Sequence, residues 1–250
     1  MKCLILAAGY ATRLYPLTEN FPKPLLKVGD KTILDWLLED IHRSGLVDGY
    51  IVVSNRKFAP HFLKWAKEHP PPVTVVDDGT ETNETRLGAV RDIAFAMKET
   101  GVKDDLLVIA GDNLLDFSLT SFIDYARKKG TSASMRYWEA DEKRLRRSGV
   151  SEVDGSDRLI GLEEKPEEPR SHWCTPPFYF YRAEDARRVE EAIGDGCGVD
   201  APGSLLSWMA KHTVIHSMEM PGKRYDIGTI ETYEAVQREY RGIRYEGERE

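Results

Sequence analysis

This sequence predicts an α/β fold with a mixed, mostly parallel sheet, on three observations. Short unbroken apolar runs recur through the first half, each closed by glycine or polar residues, as in strands buried on both faces. Between them lie segments whose apolar residues repeat at helical spacing. From about residue 131 the texture shifts to closely spaced strand-like runs joined by turn residues, which extends the sheet with a β-rich region.

Taken in order, "KCLILAAG" is a buried strand ended by glycine. "TILDWLLEDIHRSG" places Ile33, Leu34, Leu37, Leu38 and Ile41 on one helical face; Thr32 and Asp35 have capping-box spacing, and Gly45 is a stop. "GYIVVS" is a strand, "HFLKWAKEH" a short helix closed by the prolines at 70–72, and "VTVV" a strand. "ETRLGAVRDIAFAMKETG" predicts a helix through Leu87, Val90, Ala94 and Met97, and "DLLVIAGDN" a strand halted at Gly111-Asp112. Beyond residue 131, "SASMRYWEA" and the two arms of "GVSEVDGSDRLIGLEEKP" read as strands, the arms joined by a turn at Asp154-Gly155. "DEKRLRRSG" reads as a solvated connection, and "PPFYFYR" as an aromatic strand belonging to the core. "EDARRVEEAI" is a helix, "GDGCGVDAPG" a glycine-rich loop, and His172-Trp173 fall in a mobile loop. "SLLSWMAKH", "TVIHSMEM" and "IETYEAVQREY" supply helix, strand and closing helix before a frayed "RYEGERE".

Composition narrows the function. The 250 residues suffice for a full core, and 41% apolar with 31% charged residues reads as a globular chain. A formal charge of −7 argues against a duplex nucleic-acid or anionic-membrane binder, which needs a basic face, yet leaves room for a small anion met by local cations. Cys3, Cys174 and Cys197 are far apart without metal-ligand spacing, and the odd count points to reduced thiols and a cytoplasmic setting. No apolar run is long enough for a bilayer span, and the apolar start is too short for a signal peptide.

The stretch "LAAGYATRLYPLTENFPKPLL" carries the chemistry. Ligands of open parallel sheets sit beyond the carboxyl ends of strands. Small residues there let backbone N–H groups approach an anion. A tight turn needing one glycine accounts equally well for "AAG" alone. Two cations flanking that turn, Arg13 and Lys23, tip the balance, because holding them together is costly unless an anion lies between them. The stretch lacks the ending of a Walker A loop and the third glycine of a dinucleotide fingerprint. Asp112 at one strand end and Asp226 in "RYDIGT" offer hard oxygen ligands of the kind Mg²⁺ takes beside phosphates. A lone aspartate at such a place is otherwise a turn former.

On "GYATR", "PKPLL", "AGDN", "SGVSEVD", "GLEEKP", "FYFY" and "YDIGT", in that order, the chain resembles the sugar-phosphate nucleotidyltransferases, most of all the glucose-1-phosphate thymidylyl- and uridylyltransferase type. The resemblance implies a Rossmann-like three-layer fold with an added sugar-binding β region. It implies a single domain over 1–240, with a nucleotide-binding half (1–130), a sugar-phosphate half (131–240) and a tail at 241–250. It implies nucleotidyl transfer from dTTP or UTP to a sugar 1-phosphate with Mg²⁺, leaving homo-oligomerisation open. Arg13 and Lys23 then grip the phosphates, and Asp112 and Asp226 hold the metal. Leu6, Ala7, Ala8, Gly9, Asn83 and Gly88 bind the nucleotide. Gly149, Glu164 and Lys165 bind the sugar phosphate. Asn83 has a second reading as the N-cap of the helix that "ETRLGAV" opens. The sequence departs from the family at Ala11, where a glycine is usual, at Thr85-Arg86 in the base-reading stretch, at Pro176-Pro177 and at "DAPG". These departures leave base and sugar open. A cytidylyltransferase of sugar or other alcohol phosphates is the alternative enzyme. A catalytically silent regulatory relative is the alternative class, disfavoured because Arg13, Lys23, Asp112 and Asp226 are all present.

Overall fold

The computed structural model describes residues 1–69 and 72–245. In chain order the main elements are β1 (Lys2–Leu6), α1 (Ile33–Arg43), β2 (Gly49–Ser54), α2 (Ala59–Lys67), β3 (Val73–Asp77) and α3 (Ala89–Thr100). Then come β4 (Leu106–Ala110), β5 (Asn113–Leu115), α4 (Thr120–Lys129), β6 (Ser132–Trp138), β7 (Gly149–Val153) and β8 (Leu159–Glu164). The chain closes with β9 (Trp173–Cys174), β10 (Phe178–Tyr181), α5 (Gly203–Met209), β11 (Ile215–Glu219), β12 (Arg224–Asp226) and α6 (Ile230–Glu239). They form two compact units, each discontinuous in sequence. The first holds Met1–Leu4, Leu87–Ile109 and Phe122–Met220; the second holds Ile5–Arg86, Ala110–Ser121 and Pro221–Glu250.

In the first unit β10 runs antiparallel between β4 and β6, with Tyr179 opposite both Val108 and Ser134. Its four aromatic residues Phe178–Tyr181 are all buried, so the aromatic run is core, as the sequence predicts. β11 lies parallel to β6, while β9 pairs antiparallel with both β6 and β7. β7 and β8 form an antiparallel pair whose register sets Glu164 opposite Gly149. In the second unit β2 and β3 pair in parallel. The short strands β5 and β12 pair antiparallel, Asp226 opposite Asn113. An apolar cluster of Leu14, Leu26, Ile33, Leu114, Ile227 and Tyr240 anchors both to α1 and α6. Removing these side chains from water holds β12 against α1 and α6.

Helix signals read well where they are local. Thr32 and Asp35 form the predicted capping box of α1, and Gly45 ends it at φ +66°. Four expectations change. The helix foreseen from residue 84 begins five residues later: α3 opens at Ala89, and its N-cap is Gly88 at φ +91°. Asn83 is therefore not that helix's cap. A Cβ on Gly88 would stand 2.5 Å from the Val199 carbonyl oxygen, and Val90 N–H bonds that same oxygen at 3.0 Å. A distant loop docked against Gly88 thus decides where the helix starts. "EDARRVEEAI" divides into two short helices, Ala183–Ala186 and Val189–Gly194, because Arg188 leaves the helical conformation at ψ +4°. The connection at 141–149 contains one helical turn, Glu142–Leu145, that buries Leu145 against Val150 and Cys174. His172 and Trp173 are held rather than mobile. His172 stacks on Trp138 at 4.9 Å, and Trp173 pairs in β9 with both β6 and β7. At the C-terminus Arg244 docks on Asp116 at 2.8 Å and Tyr245 receives Arg43, whereas the rest of the foreseen frayed tail, like Pro70 and Pro71, lies outside the described residues.

Candidate active site

The second unit gathers the four residues given catalytic roles. β1 delivers the opening turn: Leu6 carbonyl accepts from Gly111 N–H at 3.0 Å, and Ala7 N–H donates to Val53 at 2.9 Å. Ala8 carbonyl accepts from the buried Asn55 side chain at 2.9 Å, and Asn55 Oδ1 in turn accepts from Phe58 N–H at 2.9 Å. Asn55 thus fixes the turn's path, a role the sequence reading missed because the residue lies in another strand's exit loop. Gly9 is exposed, with open space where a Cβ would stand, so the turn does not require glycine there. The demanding position is Ala11, at φ +47° and ψ +43°, a left-handed conformation costing a non-glycine residue about 1 kcal/mol. The buried Thr18 hydroxyl holds it by donating to the Ala11 carbonyl at 2.8 Å.

Arg13 follows in a single 3₁₀ turn and is solvent-exposed. Both its terminal nitrogens and Asp226 Oδ2 lie 3.8 Å from the point where a Cβ on Gly228 would stand, so cation and carboxylate converge over that glycine. Lys23 sits in the next 3₁₀ turn, only 6% exposed, with Nζ 2.8 Å from Asp112 Oδ2. Gly111, just before Asp112, packs directly on β1, since a Cβ there would stand 2.8 Å from Ile5 Cγ2. Asp112 Oδ1 accepts from Asn113 Nδ2 at 2.8 Å, and Asn113 Oδ1 accepts from Arg224 Nη1 at 2.6 Å. Arg224 also lies 3.7 Å from Asp226 Oδ1. Burial works against the Asp112 charge, but the ammonium of Lys23 and the nearby Arg224 outweigh it and hold the carboxyl below its ordinary pKa.

Among the described residues no three His, Cys, Asp or Glu side chains gather as a metal site. Asp112, which precedes β5, and Asp226, opposite Asn113 in β12, offer two hard carboxylates at most. That donor set is too small for a closed protein cage. It suits Mg²⁺, which keeps waters and substrate phosphates in its shell.

The first unit carries the residues given to the sugar phosphate. Glu164 faces Gly149 across β7 and β8, its Oε1 3.0 Å from where a Gly149 Cβ would stand. The same oxygen lies 1.9 Å from the Cβ position of Gly203, the first residue of α5. The carboxylate therefore occupies space that only glycine at 203 leaves free. A cavity of about 330 Å³ opens beside it, lined among others by Glu164, Cys197, Ser204 and Trp208. Burial raises the Glu164 pKa, and Lys165 and a Gly203 backbone hydrogen bond only partly offset it. Lys165 is exposed, at φ +51°, with its N–H on the Ser148 carbonyl at 2.9 Å. Strain of this kind recurs at ligand-handling positions.

The two remaining nucleotide positions fall in different units, Asn83 in the second and Gly88 in the first. Asn83 is half-buried in a turn closed by Thr82 and Thr85, and its carbonyl accepts from Arg86 at 2.9 Å. Gly88 is buried with its Cα against Val199.

A strand-end turn with flanking cations and paired strand-end carboxylates is the arrangement of a phosphate-handling α/β transferase. The chain belongs to the nucleotidyl transferase family, whose model matches residues 2–242. It is 30% identical over 194 residues to a glucose-1-phosphate thymidylyltransferase of Mycolicibacterium smegmatis, covering 72% of this chain and 61% of that protein. It is 25% identical over 248 residues to a glucose-1-phosphate adenylyltransferase of Thermosipho africanus, covering 92% of this chain and 59% of that protein. The chain thus spans about three fifths of the length of these curated relatives. Among solved structures, a UDP-glucose pyrophosphorylase complexed with UDP-glucose superposes with a TM-score of 0.80 at 22% identity, covering 95% of this chain and 97% of that one. That likeness establishes the α/β fold with a mixed central sheet and parallel core strands. No helix among the described residues is long and apolar enough to cross a membrane.

Proposed function

We propose that this protein transfers a nucleotidyl group from a nucleoside triphosphate to a sugar 1-phosphate, releasing pyrophosphate. The observation that carries the reading is the convergence of Lys23 on Asp112 and of Arg13 on Asp226 beside the exit of β1. Such a reaction has a phosphate oxygen attack the α-phosphorus in line, and it depends on positioning and charge neutralisation. Arg13, exposed and fork-shaped, grips the triphosphate and stabilises the leaving pyrophosphate. Lys23 neutralises the α-phosphate and the attacking phosphate, its ammonium kept in place by Asp112 until substrate arrives. Asp112 and Asp226 are the residues that would hold Mg²⁺, which supplies further neutralisation of the phosphates when bound. The backbone from Leu6 to Gly9, with Asn83, receives the nucleoside. Glu164 accepts from sugar hydroxyls, the Gly149 backbone lies against the ring, and Lys165 holds the phosphate.

The relatives named above use different bases, so the base rests on this chain alone. We favour a pyrimidine, dTTP or UTP, because the ordered motifs resemble that type and because backbone groups suffice to pair with a pyrimidine edge. The test is pyrophosphate release across five triphosphates and a panel of sugar 1-phosphates with Mg²⁺. Turnover with one sugar 1-phosphate and dTTP or UTP is expected. Preference for ATP or GTP refutes the base assignment, and no release with any pair refutes the activity.

A further inference from the structure

Asp112, just ahead of β5, and Asp226, opposite Asn113 in β12, carry like charges that repel each other, and their side chains must be steered to present oxygens to one point. Lys23 steers Asp112 from one side through its bond to Oδ2. On the other side stands Asn113, buried to 3% exposure, with both ends of its amide in use: Nδ2 donates to Asp112 Oδ1 and Oδ1 accepts from Arg224 Nη1. That guanidinium also reaches Asp226 Oδ1 at 3.7 Å. A continuous series therefore runs Lys23–Asp112–Asn113–Arg224–Asp226, in which Arg224 reaches Asp226 Oδ1 while Arg13 stands toward its Oδ2. Its side chain is 18% exposed, held in place by the β5–β12 register, while Asp226 is 65% exposed and has freer rotamers. The neighbouring Tyr225 and Ile227 are packed into the apolar cluster.

We propose that Arg224 is a positioning residue for the Asp112–Asp226 pair: through Asn113 and directly, it holds both carboxylates in one orientation and offsets their repulsion before a cation arrives. This rests on the reading of that pair as the Mg²⁺ site. One nitrogen, Nη1, makes both contacts, to an amide oxygen and to a carboxylate, and lysine, a bond shorter from its Cα, cannot bring its ammonium to the same point. The same positive charge competes with a metal for the carboxylates. Losing it should tighten metal binding while loosening the geometry that makes binding productive. A residue that merely stabilised β12 would, when lost, weaken both.

The test compares Arg224→Met and Arg224→Lys with the native protein by steady-state kinetics and by Mn²⁺ titration of the protein alone, followed by electron paramagnetic resonance. For Arg224→Met, kcat should fall about 10-fold or more, the scale of a modest misplacement of reacting groups. Its KM for the triphosphate should stay within about twofold, and Mn²⁺ should bind at least ~3-fold more tightly as the nearby positive charge is gone. Arg224→Lys, which keeps the charge and the fold, should bind Mn²⁺ like the native protein yet share the loss in kcat. Turnover within about twofold of native in Arg224→Met, or Mn²⁺ binding weakened together with turnover, overturns the proposal. Asp112→Asn and Asp226→Asn separate the two levels. If neither alters the Mn²⁺ titration, the metal pair itself is misassigned, and the proposal falls with it.

Discussion

Replacing Gly203 by alanine tests the sugar-phosphate cluster without disturbing the backbone. Gly203 begins α5, and its φ lies outside the left-handed region, so alanine fits the main chain. The conflict is with one atom. Glu164 Oε1 sits 1.9 Å from the new Cβ, with the carboxyl carbon at 3.1 Å and Leu162 at 3.5 Å. Since Cβ contacts closer than 3.0 Å essentially do not occur, the oxygen must retreat by roughly 1 Å. The side chain can swing, so the fold survives, but the Gly203 backbone hydrogen bond to the carboxylate is lost. Losing a charged hydrogen bond costs about 1.5–3 kcal/mol. For a chain of this size the melting temperature should then fall by about 3–12 °C. Activity should suffer more. A displacement near 1 Å in a positioning group can cost up to about 10²-fold. The loss should appear in kcat/KM for the sugar 1-phosphate, with the KM for the triphosphate little changed. Initial rates at saturating triphosphate, read beside a thermal melt, decide the matter. Unchanged sugar-phosphate kinetics in a folded variant would refute the assignment of Glu164 to the sugar.

Further outcomes follow from the same geometry. Arg13→Ala should cut kcat by about 10²-fold or more, and Arg13→Lys should recover little of it, because a point charge cannot replace a bidentate fork. Gly88→Ala should lower stability by about 3–5 kcal/mol in a denaturant titration, since it combines a glycine-only conformation with a 2.5 Å clash against the Val199 carbonyl. With Asp112 held below its ordinary pKa of 3.8, its charge stabilises the fold above that value, and this contribution is lost as pH falls through the lower folded pKa; Asp112→Asn should flatten that acid limb of the unfolding free energy. Glu164 has the opposite sign. Its raised pKa makes stability fall as pH climbs from the ordinary 4.5 through the folded value, a decline that Glu164→Gln should remove.

What the sequence revealed depended on how local the determining physics was. The strand ends at Leu6 and Ala110 are written in short apolar runs closed by small residues, and the α1 cap needs only Thr32 and Asp35. Arg13, Lys23, Asp112 and Asp226 stand out in the sequence because each lies in a short ordered motif, and the fold gathers them in one unit. Their neighbours do not stand out. Asn55 and Arg224 act through side chains that arrive from other strands, and nothing in "SNRK" or "GKRYD" announces the partner. The start of α3 could not be read, because it is set by a loop more than a hundred residues away that abuts Gly88. "DAPG" stood out only as a departure, yet it supplies the glycine against which Glu164 lies.

Asn83 shows how the corrected helix start sharpens the question of base choice. While Asn83 could be read as a helix cap, any effect of its loss on nucleotide selection was entangled with a cap's contribution of about 1 kcal/mol. With Gly88 as the N-cap, that contribution has no structural source. The Asn83 carbonyl, which survives substitution, already serves Arg86, and the Thr82–Thr85 bonds close the turn without its side chain. Asn83→Ala should therefore leave the melting temperature within about 2 °C of native, as expected for a surface change that breaks no named interaction. Any change in discrimination among dTTP, UTP and CTP then reports on base contact alone, because the amide is the only group removed. Measured as ratios of kcat/KM, a base-reading amide should lose about 10-fold or more in selectivity, the scale for leaving a polar group of the preferred base unpaired. A variant that melts like the native protein and ranks the triphosphates identically assigns base choice to the backbone between Leu6 and Gly9.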